Sequence, residues 1–297
     1  MWKRELAGSL RLRLERDRVL VIEQEGLDTY LTGVLAKEVQ PEWPLEALKA
    51  QAVAARSYAA ARYLTRHDQS WQLDASEQVD MAYAGHVARV HPNLATALAQ
   101  TRGQLLWFRD QPLPAFFHAA SGGHGEAVDA VWPERRTPDG KHGLAQAMPA
   151  VRDPWDAAGR AVAPQRLGPW KAALPLDELR RLLVAAGHRD PGAIRGARLM
   201  GKDPGSGRAR QVRIDGALGA LDLAAHQLRM AVGSTRIRST LWRDFRIDAG
   251  QLIVQGHGYG HGVGLPQASA WAMARDGRLA GEILRLYYPG AALVRRW

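Results

Sequence analysis

Three stretches of the chain gather residue types able to do chemistry. In the first, LTGVLAKEV, the residues Leu31, Val34, Leu35 and Glu38 fall at the i, i+3, i+4 and i+7 positions of one helical face. A carboxylate stands where a fourth apolar side chain is expected. Burial beside apolar groups disfavours the ionised form, which suits a general acid working near neutrality. Trp43, just past the helix end, offers a low-dielectric wall. The plainer reading of Glu38 is a side chain frayed into solvent in a last helical turn. Glu42 lies between prolines, and Glu46 falls in the first turn of the next helix, where a negative charge complements the dipole. Of the three glutamates, Glu38 is the anomalous one.

The second and third stretches are rich in histidine and glycine. FFHAASGGHGEA carries His118, Ser121 and His124 around a Gly-Gly turn, and HGYGHGVGLPQ carries His257, His261 and Gln267 in a loop that runs into a helix. Glycines permit positive φ and close approach of backbone to a ligand, and a helix N-terminus presents free N–H groups. A zinc site needs three or four well-placed ligands, and no HExxH-like helix is present. A serine nucleophile calls for an elbow of the GxSxG kind, which Ser121 in AASGG does not match. The glycine spacing fits neither the dinucleotide nor the Walker pattern. Polar groups lining a sugar groove, with Tyr and Trp as stacking surfaces, fit the mixture best. Gln51 and Tyr83 are further candidates for that groove, and neither a metal nor a cofactor is expected.

The elements that must hold these residues are readable in outline. Leu10, Leu12 and Leu14 alternate with Arg11 and Arg13, and Val19 to Ile22 follow, as strands over 1–27. Asp28 is a plausible N-cap for a helix from Thr29 to about Val39, stopped by Gln40-Pro41. Pro44 suits the opening of a longer, alanine-rich helix to about Thr65. Its polar positions form two stripes, Lys49–Arg56–Tyr63 and Gln51–Tyr58–Arg62, one for solvent and one for a groove. Loop and short strand are expected over 73–85, then a helix near 93–101 and a hairpin of Gln104–Phe108 with Leu113–Ala119. Residues 133–168 read as a loop-rich insertion, and about 169–235 as a smaller α/β lobe with helices 176–186 and 221–230. Helices opened by Pro266 and ending at Pro289 complete an α+β chain, with 28–297 as one domain.

Composition bounds the partners. The 297 residues are 46% apolar and 24% charged, an ordinary globular balance. The absence of cysteine excludes disulfides and thiolate metal sites. No apolar run reaches a membrane span, and no signal peptide is visible, although a chain written without its leader would read the same. The net charge of +10 suits an anionic polymer, unless arginine is merely abundant. No basic run or RNA-binding motif supports nucleic acid as the partner.

The run YLTGVLAKEVQPEWPLEALKAQAVAARSYA strongly resembles the stage II sporulation protein D (SpoIID/LytB) domain. The likeness continues through TRGQLLWF, FFHAASGGHGEAVDAVW, LRMAVGSTRIRSTLW, GHGYGHGVGLPQASAWAMARDG and EILRLYYPG, in the family's order, from about residue 20 to the C-terminus. The resemblance implies an α+β SpoIID-like core and a lytic transglycosylase that degrades peptidoglycan glycan strands stripped of their peptide stems. It implies that Glu38 is the catalytic acid/base, that His118, Ser121, His257, His261, Gln267, Gln51 and Tyr83 bind substrate, and that the protein works in the cell envelope. Some relatives hold zinc through His and Cys near the segment matching FFHAASGGH; the chain has no Cys, so a metal-independent site is expected. Other relatives carry the term amidase enhancer, which makes a cell-wall amidase a candidate partner and a non-catalytic glycan-binding module the alternative. A hydrolase with paired carboxylates is a further alternative.

Overall fold

The computed structural model describes residues 5–75, 79–133 and 143–297. It is an α+β chain that divides into two compact units, Met1–Phe116 with Met273–Trp297, and Phe117–Ala272.

The first unit opens with an antiparallel hairpin of β1 (Ser9–Glu15) and β2 (Arg18–Gln24). Helix α1 (Leu27–Glu38) follows, and Gly26, not Asp28, occupies its N-cap; Asp28 sits in the first turn, where its charge complements the dipole. Gln40-Pro41 cannot continue the helix, and α2 (Leu45–Thr65) begins immediately after Pro44. Ala50, Ala52, Val53, Ala54 and Ala55 are fully buried, so small side chains let α1, α3 (Pro92–Gln100), β3 (Gln104–Phe108) and the helix Ala280–Tyr287 pack closely around α2. Strand β3 pairs with Ala292–Arg295 and with the two residues Gln111–Pro112. The expected strand over Leu113–Ala119 is reduced to Phe117–His118, which pairs in parallel with Leu265–Pro266 inside the second unit.

The second unit holds two three-stranded antiparallel sheets. In one, Gln251–His257 lies between Leu241–Asp248 and Trp170–Pro175. That sheet therefore takes chain from both sides of the lobe boundary expected near 235. In the other, Ile194–Lys202, Ala209–Gly216 and Gly219–Ala224 form a meander. The helix expected from 221 begins only at Ala225, because Leu221 and Leu223 alternate with Asp222 and pair in register with Ile214 and Val212. Helices Leu176–Ala185 and Ala225–Val232 close over a core of Leu174, Leu179, Leu183, Val212, Leu228 and Trp242. Of the expected insertion, 134–142 lie outside the described residues, and the remainder forms short helices such as Asp156–Gly159 and Pro164–Leu167. Likewise 76–78 of the expected 73–85 loop lie outside them. Among the described residues no helix is long and apolar enough to cross a membrane.

Candidate functional sites

The residues singled out in the sequence divide between the units: Glu38, Gln51 and Tyr83 fall in the first, and His118, Ser121, His257, His261 and Gln267 in the second.

In the first unit, Leu31, Val34 and Leu35 are fully buried, each apolar side chain contributing about 1.5–3 kcal/mol by its removal from water. Glu38, one turn further on, is half-buried rather than buried. A backbone donor meets the carboxylate: the Ala82 N–H donates to Oε1 at 2.8 Å. The same segment donates from the Ala84 N–H to the Gly33 carbonyl at 3.2 Å. Gly33 is required for that approach, since a Cβ there would stand 2.5 Å from both the Gly85 carbonyl oxygen and the Tyr83 ring.

The segment is pinned by Asp80, whose side chain is wholly buried. Asp80 Oδ1 accepts from the Tyr58 hydroxyl and from Arg62 Nε, each at 2.7 Å, while Oδ2 accepts from the Asp74 N–H at 2.8 Å and Arg66 Nη1 at 3.2 Å. The Gln51–Tyr58–Arg62 stripe of α2 thus holds the strap that supports Glu38. Gln51 lies two turns before Tyr58 on that stripe and is only 2% exposed, yet neither amide atom has a hydrogen-bond partner among the described residues. The other stripe is not simply a solvent face. Arg56 is fully buried and donates from Nη1 to the carbonyls of Thr101 (2.9 Å) and Gln104 (3.4 Å).

Tyr83 is buried, and its hydroxyl is committed: it donates to Glu25 Oε1 at 2.5 Å and Glu23 Oε2 at 3.1 Å, with its ring 5.1 Å from that of Tyr30. Through these contacts Tyr83 braces the strap. Burial pushes the Tyr30 phenol up, with Asp80, Tyr58, Glu25 and Glu38 adding to the shift, so Tyr30 stays neutral and its hydroxyl has no partner among the described residues. Neither Asp80 nor Tyr30 carried a sequence signal; Asp80 sits in a stretch without periodicity.

In the second unit Ser121 is fully buried. Its hydroxyl donates to Asp153 Oδ2 at 2.6 Å and accepts from the Gly123 N–H at 3.0 Å. Asp153 also receives the Ser269 hydroxyl at 2.6 Å, and Asp156 receives the Gly122 N–H at 2.8 Å. Behind this turn lies Arg208, fully buried, whose Nη2 donates to the carbonyls of Ser121 (2.6 Å) and His124 (3.0 Å). Its guanidinium lies against Gly262, where a Cβ would come within 2.6 Å of Cζ. Burial lowers the Arg208 pKa to about 10. Glu126, also buried, accepts from the Ser206 hydroxyl at 2.8 Å, and its pKa is raised mainly by desolvation.

His118 and His261 are brought together, with ring centroids 5.5 Å apart, and Trp132 stands 5.1 Å from His261. His118 Nδ1 lies 3.1 Å from the Val263 carbonyl, which assigns the proton to Nδ1 and leaves Nε2 as an acceptor with no partner among the described residues. Burial, then the Arg208 charge, pushes the His118 pKa down to about 3, so the ring is neutral. His261 Nδ1 accepts from the Val263 N–H at 3.0 Å, and desolvation and His118 hold its pKa well below the usual value. Gln267 is buried at the start of the helix Gln267–Arg275, directly after the strand residue paired with His118. His257 stands apart from this pair, at a surface cleft with Arg160 and Arg243. Among the described residues no group of three or more His, Asp or Glu is placed to hold a metal ion.

The SpoIID family model, described as Stage II sporulation protein, matches residues 15–108, the stretch that contains Glu38 and the strap holding it. The chain is 28% identical over 290 residues to an uncharacterised protein of Brachyspira hyodysenteriae, covering 98% of this chain and 72% of that relative. It is 27% identical over 285 residues to stage II sporulation protein D of Bacillus amyloliquefaciens, covering 91% and 74% respectively. It is 26% identical over 300 residues to the amidase enhancer of Bacillus subtilis, covering 89% of this chain and 40% of that protein. The resemblance to the stage II sporulation protein D family is thereby borne out.

Proposed function

We propose that this SpoIID-like chain is a cell-envelope enzyme that cleaves peptidoglycan glycan strands as a lytic transglycosylase, with Glu38 as its acid/base. The observation that carries the reading is the setting of Glu38: half-buried at the end of α1, within the family-matched stretch, and fixed by the Ala82 N–H at 2.8 Å. A wall-related role is supported by the relatives named stage II sporulation protein D and amidase enhancer.

In the proposed reaction, protonated Glu38 donates to the glycosidic oxygen between N-acetylmuramic acid and N-acetylglucosamine, and the anomeric C–O bond breaks. The 6-hydroxyl of the muramic residue attacks the oxocarbenium-like carbon and returns its proton to Glu38. The products are a 1,6-anhydro end and a free 4-hydroxyl, so the internal nucleophile removes the need for the second carboxylate of ordinary glycosidases. Gln51 supports the reading, since a buried amide without partners costs about 1–3 kcal/mol, and a sugar hydroxyl or acetamido group would satisfy it. His118 would act as a neutral hydrogen-bond acceptor through Nε2, not as an acid. His257, His261 and Gln267 are the remaining candidate sugar contacts. Strands stripped of peptide stems are the proposed substrate, and a cell-wall amidase the proposed partner.

Glu38→Gln tests the assignment on purified glycan strands, with the product masses read directly. A loss of about 10²–10⁴-fold in anhydro-muramic product, with an unchanged unfolding transition, is expected for removal of a general acid/base. Retained anhydro product in that variant sinks the assignment. Glycan retention by a wild type that never cleaves would favour a binding module of the kind suggested by the amidase-enhancer relative, and a reducing end would indicate a hydrolase.

A further inference from the structure

The second unit carries a surface cleft of about 470 Å³ whose lining includes Arg160, Lys202, Arg243 and His257, with glycine backbone at Gly122 and Gly207 and, among the described residues, no acidic side chain. Its charges are unequally satisfied. Arg160 Nε lies 3.2 Å from Asp156 Oδ2, and Asp156 is buried behind the cleft, where it also receives the Gly122 N–H. Lys202 and Arg243 are exposed and have no carboxylate within ion-pair distance among the described residues; the Lys202 ammonium donates to the Trp242 carbonyl at 3.1 Å. Two cationic groups are therefore left facing a concave surface, and the carboxylate that opposes their charge at His257, Asp156, is already paired with Arg160.

The His257 ring registers that excess. Desolvation and then the charges of Arg243 and Arg160 lower its pKa, and Asp156 opposes them. Phosphate sites are usually built on nests of free backbone N–H groups. Here the Gly122 N–H is given to Asp156 and the Gly123 N–H to the Ser121 hydroxyl, so no such nest is presented. An Arg fork beside a Lys point charge binds a carboxylate without needing such a nest.

We propose that this cleft, held by Lys202, Arg243 and Arg160 around His257, binds the carboxylate of an acidic amino sugar, the lactyl carboxylate of N-acetylmuramic acid. The proposal rests on the glycan reading above and deepens it: a peptide-free lactyl group is an anion, whereas a stem peptide turns that carboxyl into an amide. The cleft would therefore read whether a strand has been stripped.

Isothermal titration of the full chain with the monosaccharides N-acetylmuramic acid and N-acetylglucosamine, and with glycerol 3-phosphate, tests it. N-acetylmuramic acid is expected to bind at least about tenfold more tightly than either comparator, with binding weakened about tenfold or more in Lys202→Gln/Arg243→Gln. The His257 ring should titrate at higher pH when the sugar is present, because an adjacent anion favours the imidazolium. That shift should be lost in the same double variant. Equal binding of N-acetylglucosamine, undiminished binding by the double variant, or an unmoved His257 overturns the proposal. Tighter glycerol phosphate binding overturns the carboxylate in favour of a phosphate. Because Glu38 cleavage is scored by product mass and this site by monosaccharide binding, either can fail while the other stands.

Discussion

In each unit a buried charged side chain shapes a candidate site, and the two are stabilised by opposite means. In the first, Asp80 is surrounded by Arg62 and the Tyr58 hydroxyl on α2 and by Arg66 just past its end, so the charge is neutralised by cations that themselves reach solvent. In the second, Arg208 is fully enclosed and is held by the carbonyls of Ser121 and His124, with Glu126 and Asp156 contributing only at longer range. Removing the charge of a buried carboxylate whose cationic partners reach solvent is tolerated better, because water can reach those cations. Removing a buried cation held by carbonyl dipoles is tolerated less, because it leaves buried acceptors unsatisfied. The strap over Glu38 should therefore be the more adjustable structure and the histidine–glycine loop the more rigid one.

The largest expected effect tests that contrast directly. Arg208→Met should cost about 3–5 kcal/mol of unfolding free energy, because the Ser121 and His124 carbonyls lose their donor in the interior. Asp80→Asn, which keeps the shape but removes the charge, should cost about 1–2 kcal/mol, since Arg62 and Arg66 retain water. Denaturant unfolding of both variants measures the difference, and an Asp80 cost equal to the Arg208 cost would break the comparison.

Much of the first unit was legible because its elements are periodic. The i, i+3, i+4, i+7 pattern placed α1 and pointed to Glu38, and the alanine run between Pro44 and Thr65 announced α2 as central. What spacing could not convey is which polar group meets a side chain from a distant segment. Glu38 looked like a carboxylate on an apolar face, and it meets the Ala82 N–H because Asp80 fixes an aperiodic stretch whose pairing is long-range. In the second unit the Gly-His strings correctly marked an unusual loop, but residue types alone did not separate inward from outward. Ser121 is spent on Asp153, and Arg208, in an ordinary-looking turn, had no signal at all. Leu221 and Leu223 fit a helical reading until the pairing with Ile214 and Val212 is known.

A smaller effect sharpens the account of the strap. Gly33→Ala would push a Cβ into the Gly85 carbonyl and the Tyr83 ring, so a stability loss of about 1–3 kcal/mol is expected, as for overpacking. Because the Ala82 donor moves with that segment, glycan cleavage should fall further than the stability loss explains. Gly281→Ala is the control: its Cβ meets nothing within 4 Å, inside the helix Ala280–Tyr287, and it should stabilise by about 0.5–1 kcal/mol without altering cleavage. Equal activity in the two variants would mean that the Ala82–Glu38 contact does not matter to the reaction.

The smallest effect is a difference in slope with pH, and it belongs to the second unit. His118 is buried and neutral, with its pKa depressed to about 3 by desolvation and by Arg208 and Arg229, while the Val263 carbonyl favours the protonated ring. Since the folded value lies below the unfolded value near 6.5, the neutral ring contributes fully above about pH 6.5. That contribution is lost as the pH falls toward about 3, at about 1.4 kcal/mol per unit. Glu126 and Asp156, raised by burial, act in the opposite sense, so the wild-type slope alone does not isolate the histidine. His118→Asn does, because the amide can still donate to the Val263 carbonyl but does not titrate. Between about pH 6.5 and about pH 5, urea unfolding should show the wild type losing about 2 kcal/mol more than the variant. Parallel slopes would mean that His118 takes up its proton in the folded state, in which case its Nε2 could serve as a donor and the acceptor role proposed for it would have to be abandoned.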